Sequence, residues 1–123
     1  MQIPETGIIV MKLPNAETAT VPEPKITRYL LNPSHPAGGS KAVFFLRFGF
    51  TAAGWRRLAW ALRAHAIENE VSETEETRYG VRFVVDGPLS APDGTVLNVR
   101  SAWFIDAGSE MPRFVTAHPL PKP

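Results

Sequence analysis

Residues 25–50 read KITRYLLNPSHPAGGSKAVFFLRFGF, and this stretch sets the pattern for the N-terminal half of the chain. A basic amphipathic segment is joined to an apolar segment by a linker that contains His-Pro and Gly-Gly. No acidic residue occurs between Lys25 and Ile67, although the formal net charge of the whole chain is only +1. This stretch therefore carries an excess of positive charge, which the acidic residues elsewhere in the chain balance. This asymmetry indicates either a surface that binds an anionic partner or an ordinary solvated basic face.

The first part of this stretch predicts a short helix. Residues 25–31 carry apolar side chains at helical spacing. The helix should end before Pro33, because a residue that precedes proline avoids the helical conformation. A loop is then expected from Ser34 to Gly39. Ser40 is predicted to cap a second helix over residues 41–48. That helix is expected to expose Lys41 and Arg47 and to bury three apolar side chains, Val43, Phe44 and Phe48.

A third helix is predicted over residues 52–67, with Thr51 as its cap after the helix-ending Gly49. Its apolar stripe recurs at three-four spacing and comprises Trp55, Leu58, Ala59, Leu62 and Ala66. A second row lies off that stripe and comprises Arg56, Trp60 and Arg63. These side chains either stack on a base while holding phosphates or form a solvated rim.

From Asn69 onward the periodicity changes to two, which is typical of strands. An acidic segment with strand-like spacing comes first, around Val71. Alternation of apolar and polar residues then predicts strands over three ranges, 79–85, 96–105 and 113–120. Turns are predicted at Pro92-Asp93-Gly94 and at Gly108.

Helices followed by a strand meander predict an α+β domain. We expect N-terminal helices packed on one face of a C-terminal antiparallel four-stranded meander. The domain should span residues 25–121, with helices over about 25–67 and the sheet over about 70–120. Residues 1–24 are rich in proline and β-branched residues, and they are predicted to form an extended leader, since proline lacks an amide donor.

Composition excludes several kinds of chemistry. The chain of 123 residues contains no cysteine, which rules out disulfides, thiolate nucleophiles and cysteine-ligated zinc and suits a reducing cytoplasm. The three histidines, His35, His65 and His118, have no metal-binding spacing, and no phosphate-binding glycine loop occurs. We therefore expect neither a metal nor a cofactor. No signal peptide or membrane-spanning segment is predicted, so we expect a cytoplasmic protein.

What remains is a set of cationic and hydroxyl side chains. Such a set can cleave RNA by attack of the 2′-hydroxyl on its own phosphate, a reaction that needs a base, an acid and fixed positive charge. Arg100, in the middle of an apolar strand, either binds phosphate or pairs with a glutamate of the acidic segment. Thr116 and His118 share one face of the last strand, where threonine is also common for its strand propensity. His35 is either an acid–base group or an inert loop residue.

Three blocks carry a resemblance to a known family. They are residues 13–50, residues 79–94 (YGVRFVVDGPLSAPDG) and residues 112–120 (PRFVTAHPL). As a set they resemble a small bacterial domain family of unassigned function, found as the toxin-like member of toxin–antitoxin gene pairs and as the tail of some polymorphic toxins. That family in turn resembles the barnase, EndoU, colicin tRNase and RelE superfamily of metal-independent ribonucleases.

The resemblance implies roles for individual residues. Lys25 matches the lysine that opens the first helix, where the superfamily often places a catalytic charge. His35 and Lys41 match the block H-P-x-G-x-x-K-A, here HPAGGSKA. Arg100 matches a basic residue of the third-strand block, and Thr116 matches the threonine of the final V-T-A-x-P. At His118 the chain departs from the family, where a tyrosine is expected, so this residue either adds an acid–base group or is a tolerated substitute.

Two functions from different classes follow. The first is a ribonuclease toxin, with an RNA substrate and a small cognate antitoxin or immunity protein as its partner. Its catalytic residues would be Lys25, His35, Arg100 and Thr116, and its RNA-binding residues would be Lys41, Arg47, Arg82 and His118. The second is a non-catalytic interaction module, in which the basic helical half docks on an acidic protein or a nucleic acid.

Overall fold

The computed structural model describes residues 11–121. A 3₁₀ turn at Ala16–Thr18 precedes the helical half, which consists of a π-helical turn, Lys25–Leu30, and two α-helices, α1 (Gly39–Arg47) and α2 (Trp55–Glu68). The strands are β1 (Val71–Thr77), β2 (Gly80–Ser90), β3 (Val96–Asp106) and β4 (Arg113–Pro119). They form one antiparallel sheet in the order β1-β2-β3-β4. The predicted α+β class, with helices followed by a four-stranded meander, is confirmed.

Helix α2 packs on one face of the sheet and supplies much of the core. Its side chains Leu58, Leu62 and Ala66 are completely buried. They belong to one hydrophobic cluster with residues of the central strands, including Val85 and Trp103. Burial of each large apolar side chain contributes about 1.5–3 kcal/mol, so the contact between α2 and the sheet is a main source of stability.

The opposite face of the sheet, which we call the open face, points away from α2. Paired residues in antiparallel strands project on the same side, and so do residues two positions apart. Arg100 pairs with Asp86 on β2 and with His118 on β4, while Ala102 pairs with Thr116. The two neighbours of Arg100 along β3 contact α2. Arg100, Thr116 and His118 therefore share the open face.

The described part of the predicted leader packs into the same core. Four of its side chains are buried there, namely Leu13, Ala16, Ala19 and Val21. Thr20 exchanges backbone hydrogen bonds with the free edge of β4: its N–H donates to Pro112, and its carbonyl accepts from Phe114, at 3.0 and 2.9 Å. Residues 1–10 of the predicted leader lie outside the described residues. The boundary between leader and domain stays a prediction.

Helix α1 buries a different face from the one predicted. Its buried residues are Ala42 and Phe45. The three side chains predicted to be buried are half-buried or exposed, namely Phe44, Phe48 and Val43. Because every residue from 42 to 46 is apolar, the sequence offers more than one stripe. Phe45 is selected because its ring packs against Phe50 in the core, with 6.1 Å between the ring centroids.

The predicted starts of the second and third helices are wrong. Ser40 lies inside α1, whose N-cap position is occupied by Gly38 without a side-chain hydrogen bond. The Oγ1 of Thr51 accepts a hydrogen bond from the N–H of Gly54 at 3.0 Å, which closes a turn. Helix α2 then begins at Trp55, three residues later than predicted, because that turn occupies the intervening residues.

Candidate active site

A cluster of polar side chains forms where the π-helical turn, α1 and β4 meet. The Tyr29 hydroxyl accepts a hydrogen bond from Nζ of Lys41 at 2.7 Å and lies 2.8 Å from Oγ1 of Thr116. Lys41 also donates to Thr116 at 3.2 Å, so the three polar atoms form a closed triangle. All three side chains are half-buried. Together with the adjacent Lys25 and His35 they are called the Tyr29 cluster.

Lys25 reaches the cluster from one turn before Tyr29. Its Nζ donates to the backbone carbonyl of Val115 on β4 at 3.1 Å and lies 5.5 Å from the centroid of the Tyr29 ring. The Nζ of Lys41 lies 5.2 Å from the same centroid. Both ammonium groups are close enough to interact with the ring face. An ammonium group has three donors, so Lys25 keeps hydrogen atoms with which to bind an anion.

His35 packs its ring edge-to-face against Tyr29, with 5.0 Å between centroids and an interplanar angle of 85°. Its Nδ1 accepts hydrogen bonds from the N–H groups of Ala37 and Gly38, at 3.0 and 3.1 Å. An Nδ1 that accepts places the ring proton on Nε2. The ring therefore offers Nε2–H as a donor. To act as a base, the ring would have to accept a proton at Nδ1, and both backbone hydrogen bonds would then be broken.

The Gly-Gly pair allows the loop to approach Tyr29 closely. A Cβ atom at Gly38 would lie 2.9 Å from Cε1 of Tyr29 and 3.0 Å from its carbonyl oxygen. A Cβ atom at Gly39 would lie 2.7 Å from the carbonyl oxygen of Pro33. Real Cβ atoms do not make contacts that short, so any other residue would push the loop away from the ring. The glycines thus hold His35 and Lys41 against Tyr29.

The surroundings of Tyr29 lower the pKa of its hydroxyl. Burial on its own raises this pKa, because it disfavours the charged phenolate. The hydrogen bonds from Lys41 and Thr116, together with the positive charges of Lys41 and Lys25, act in the other direction and outweigh burial. Ionisation of Tyr29 is therefore easier than for a tyrosine in water.

Arg100 is held by a carboxylate. Its Nε and Nη2 donate to Oδ1 and Oδ2 of Asp86 at 2.8 and 2.9 Å, a bidentate pair on the open face. This hydrogen bond is the main reason why the pKa of Asp86 is lowered, although burial opposes the shift. We expected a phosphate contact or a glutamate of the acidic segment as the partner. The observed partner is instead an aspartate of β2, because Asp86 lies directly opposite Arg100 in the sheet.

The four predicted RNA-binding residues are dispersed. Lys41 belongs to the Tyr29 cluster. Arg47 is the exposed last residue of α1, and its guanidinium lies 5.8 Å from the Phe48 ring. Arg82 is half-buried on the open face, where it pairs with Phe104 of β3 and Glu75 of β1. His118 is half-buried, and its Nδ1 lies 3.1 Å from the carbonyl oxygen of Pro119.

Of the four predicted catalytic residues, the structure thus brings Lys25, His35 and Thr116 together around Tyr29. Tyr29 itself was missed, because it was counted only among the side chains at helical spacing that predict the first helix. The available signal was its position four residues after Lys25, which places the two side chains on the same side of a helical turn.

Among residues 11–121, no group of three or more His, Asp or Glu side chains could hold a metal ion. Within the same residues, no helix combines the length and the apolar character needed to cross a membrane.

Comparison with known proteins adds a fold likeness and a family. The fold resembles a chain of the contact-dependent growth inhibition toxin–immunity protein complex from Klebsiella pneumoniae 342, with a TM-score of 0.65 and 16% sequence identity. The match covers 81% of this chain and 98% of that chain, and at such low identity it concerns the fold alone. No curated protein matches the sequence. A family model does match, over residues 12–121, and the chain therefore belongs to the family described as a domain of unknown function, DUF6883.

Proposed function

We propose that this chain is a bacterial toxin domain that cleaves RNA without a metal ion, by attack of the 2′-hydroxyl on the adjacent phosphate. The observation that carries the proposal is the Tyr29 cluster. Lys41 donates a hydrogen bond to the Tyr29 hydroxyl, and the Lys25 ammonium lies 5.5 Å from the centroid of the Tyr29 ring, at the edge of β4. The ion pairs within residues 11–121 are Arg100–Asp86 and Arg113–Asp106, so neither lysine in that part of the chain is neutralised by a carboxylate.

The cluster has the charges that this reaction needs. An RNA phosphate bound there would meet two ammonium groups and the Nε2–H donor of His35. These donors would stabilise the additional negative charge of the phosphorane, an effect for which a single well-placed donor contributes about 10²–10³-fold. Thr116 and Tyr29 add hydroxyl groups that can exchange protons with the substrate. Arg100 shares the open face with Thr116. It would assist in binding RNA while it remains paired with Asp86.

The toxin role and the partner rest on two likenesses. The sequence blocks resemble a toxin-like family, and the fold resembles a chain of a growth inhibition toxin–immunity protein complex. By analogy, a small cognate immunity protein would hold the toxin inactive in the cell that makes it. An anionic surface on that partner would fit the basic helical half.

The test uses purified protein and total RNA, with EDTA in one arm and magnesium in the other. Wild type should degrade RNA in both arms, and its expression should arrest growth. Lys25→Ala and Lys41→Ala should each lower the cleavage rate by about 10²–10³-fold. Lys12→Ala is the matched control, because the Lys12 ammonium donates to the Glu68 carbonyl at 2.8 Å and lies outside the cluster. Absence of cleavage by wild type in both arms would refute the proposal.

A second candidate, a non-catalytic module that binds an acidic protein, is favoured by a different surface. Trp60 on α2 is 70% exposed. A groove of about 200 Å³ beside it is lined by residues 88–91 and by side chains of α2, namely Arg57, Ala61, Ala64, His65 and Glu68. Arg56 is exposed on the same helix, its guanidinium 5.0 Å from the Trp55 ring. The exposed Trp60 next to Arg56 and Arg57 suits an acidic, partly apolar protein segment, which would bind on the arginine side of the groove and away from Glu68.

The Trp60 surface can be tested separately from the Tyr29 cluster. If the chain is a non-catalytic module, wild type should cleave no RNA, and Trp60→Ala with Arg57→Glu should abolish binding of any acidic protein encoded by a neighbouring gene. If wild type is tolerated on expression and only binds that protein, the module is the correct function. If the double variant loses RNA binding instead, the Trp60 surface contacts nucleic acid and the acidic-protein candidate fails.

A further inference from the structure

We propose that Tyr29 is the general base of this site: as a phenolate held between Lys25 and Lys41, it takes the proton of the RNA 2′-hydroxyl. The assignment rests on the proposed ribonuclease function and names the group that starts the reaction. It involves a residue that was not among the predicted site residues.

The other groups of the cluster are poorly arranged to act as a base. The Nδ1 of His35 already accepts two backbone hydrogen bonds, and its Nε2 carries the proton. The Oγ1 of Thr116 belongs to an alcohol, which is a weak base. Lys25 and Lys41 donate hydrogen bonds and serve as the positive charges. Within residues 11–121, the two carboxylates of the central strands, Asp86 and Asp106, are held by Arg100 and Arg113.

Tyr29 is surrounded by groups that favour its ionised form. Its oxygen lies 2.7 Å from the Lys41 ammonium and 2.8 Å from the Thr116 hydroxyl, and both can donate to a phenolate. The elements packed against it contribute Lys25 from its own turn, His35 from the loop, Lys41 from α1 and Thr116 from β4. None of these four side chains carries a negative charge. The lowered pKa of Tyr29 agrees with this arrangement.

The step balances as a transesterification. The 2′-hydroxyl proton moves to the Tyr29 phenolate, the 2′-oxygen forms a bond to phosphorus, and the bond from phosphorus to the 5′-oxygen breaks. Lys25 gives a proton to the leaving 5′-oxygen, because its ammonium uses one donor on Val115 and keeps the others. The products are a 2′,3′-cyclic phosphate and a 5′-hydroxyl. A proton then returns from Tyr29 to Lys25 through solvent. Lys41 holds the phenolate in place throughout.

The first experiment compares Tyr29→Phe with wild type on a single-stranded RNA oligonucleotide. The phenylalanine ring keeps the packing against His35 and the glycines and removes only the hydroxyl. We expect kcat to fall by about 10²–10⁴-fold with little change in KM. The rise of kcat/KM with pH that reports ionisation of the base in wild type should disappear. A variant that loses rate but keeps this rise would show that Tyr29 only positions other groups.

The second experiment measures ionisation of Tyr29 without RNA. The chain has two tyrosines, Tyr29 and Tyr79, so the absorbance change of the phenolate can be followed for Tyr29 alone in Tyr79→Phe. Tyr79 is 65% exposed and lies outside the cluster, so this variant should cleave RNA like wild type. Tyr29 should ionise at a lower pH than a tyrosine in water, whose pKa is about 10. Ionisation at or above that pH would overturn the assignment.

The two proposals fail in different ways. If wild type cleaves no RNA, the ribonuclease function is wrong. If wild type cleaves and Tyr29→Phe retains at least a tenth of its rate, the function stands and the assignment of the base is wrong.

Discussion

The Nζ of Lys41 and the Oγ1 of Thr116 lie 3.2 Å apart, although 75 positions separate the two residues in the chain. One belongs to the first α-helix and the other to the last strand. The contact is possible because α1 and the π-helical turn pack against β4, the strand at one end of the sheet. The Tyr29 cluster therefore depends on completion of the whole fold, since neither half alone contains all its members.

The hydroxyl of Thr116 should matter for activity more than for stability. In Thr116→Val the shape is kept, but Tyr29 and Lys41 each lose a hydrogen-bond partner. A hydrogen bond to a charged group is worth about 1.5–3 kcal/mol, which corresponds to roughly 10–100-fold in rate if it is made in the transition state. The unfolding free energy should change by about 1 kcal/mol or less, because water can reach these half-buried groups. Cleavage kinetics and urea unfolding measure the two effects.

Thr116→Ser is the control, because it keeps the hydroxyl and removes only the methyl group. It should retain activity close to that of wild type. If the valine variant cleaves RNA as fast as the serine variant, Thr116 has no part in the site.

Gly38→Ala should impair the site although glycine has no functional group. The added Cβ atom would lie 2.9 Å from the Tyr29 ring, so the loop or the ring must move. We expect a loss of about 1–3 kcal/mol in unfolding free energy and a fall in cleavage rate. The measurements are thermal unfolding and RNA cleavage, with Ser40→Ala as an exposed neighbour that should change neither. A Gly38→Ala protein with unchanged rate and stability would show that the close approach is unimportant.

The pair Asp86–Arg100 should restrain RNA binding on the open face. In Asp86→Asn the guanidinium loses its neutralising charge and becomes available to phosphate. RNA affinity should therefore rise, with a steeper dependence on salt. Fluorescence anisotropy at two salt concentrations measures both. Arg100→Gln, which removes the cation, is the matched control and should not gain affinity. Equal affinity of Asp86→Asn and wild type would mean that RNA does not reach Arg100.

The same pair gives a small dependence of stability on acid. The pKa of Asp86 is lowered in the folded state, chiefly by its hydrogen bonds with Arg100. The stabilisation is therefore present at neutral pH and is lost as the pH falls below the ordinary aspartate value of about 3.9. Since the two side chains are 28% and 34% exposed, we expect about 1 kcal/mol or less. In acid unfolding, the Asp86→Asn variant should not show this loss of stability.

The sequence predicts the order of helices and strands because their periodicities are local. The stripe on α2 and the alternation in β2 and β3 are set by residues close together in the chain. The buried face of α1 is not predicted in this way, because residues 42–46 are all apolar. They fit burial of Phe44 as well as burial of Phe45. Phe45 is buried on account of Phe50 and the rest of the core, which is tertiary information.

The candidate site shows the same difference between local and tertiary information. Lys25, His35, Lys41 and Thr116 could be named because each is a polar residue at a conspicuous place in a recognisable block. Their meeting point could not, since it depends on how β4 lies against the π-helical turn. Tyr29 illustrates the difficulty. A tyrosine at helical spacing fits a core position as well as a catalytic one, and only the packing of Lys41 and Thr116 around its oxygen distinguishes them.

The buried His65 should make the fold sensitive to mild acid. Its Nε2 donates to the carbonyls of Val99 and Gly87 at 2.9 and 3.1 Å, and its Nδ1 lies 3.0 Å from Oγ of Ser101. The indole of Trp103 also donates to that Oγ, at 2.8 Å, so the Ser101 hydroxyl proton points at His65. Protonation of Nδ1 would place two donors against each other in the core.

Burial lowers the pKa of His65, and its hydrogen bonds to Val99 and Gly87 offset this only in part. The unfolded chain therefore binds a proton below about pH 6.5 that the folded state does not yet bind. The unfolding free energy should decrease from that pH downwards, by up to about 1.4 kcal/mol per pH unit, and should not change for this reason above it. Urea unfolding from about pH 7.5 to 5 measures the slope. His35→Gln and His118→Gln should keep it and His65→Gln should reduce it, while an NMR titration of wild type covers the case in which His65→Gln does not fold. A His65 resonance that titrates at or above the ordinary histidine value would contradict this account.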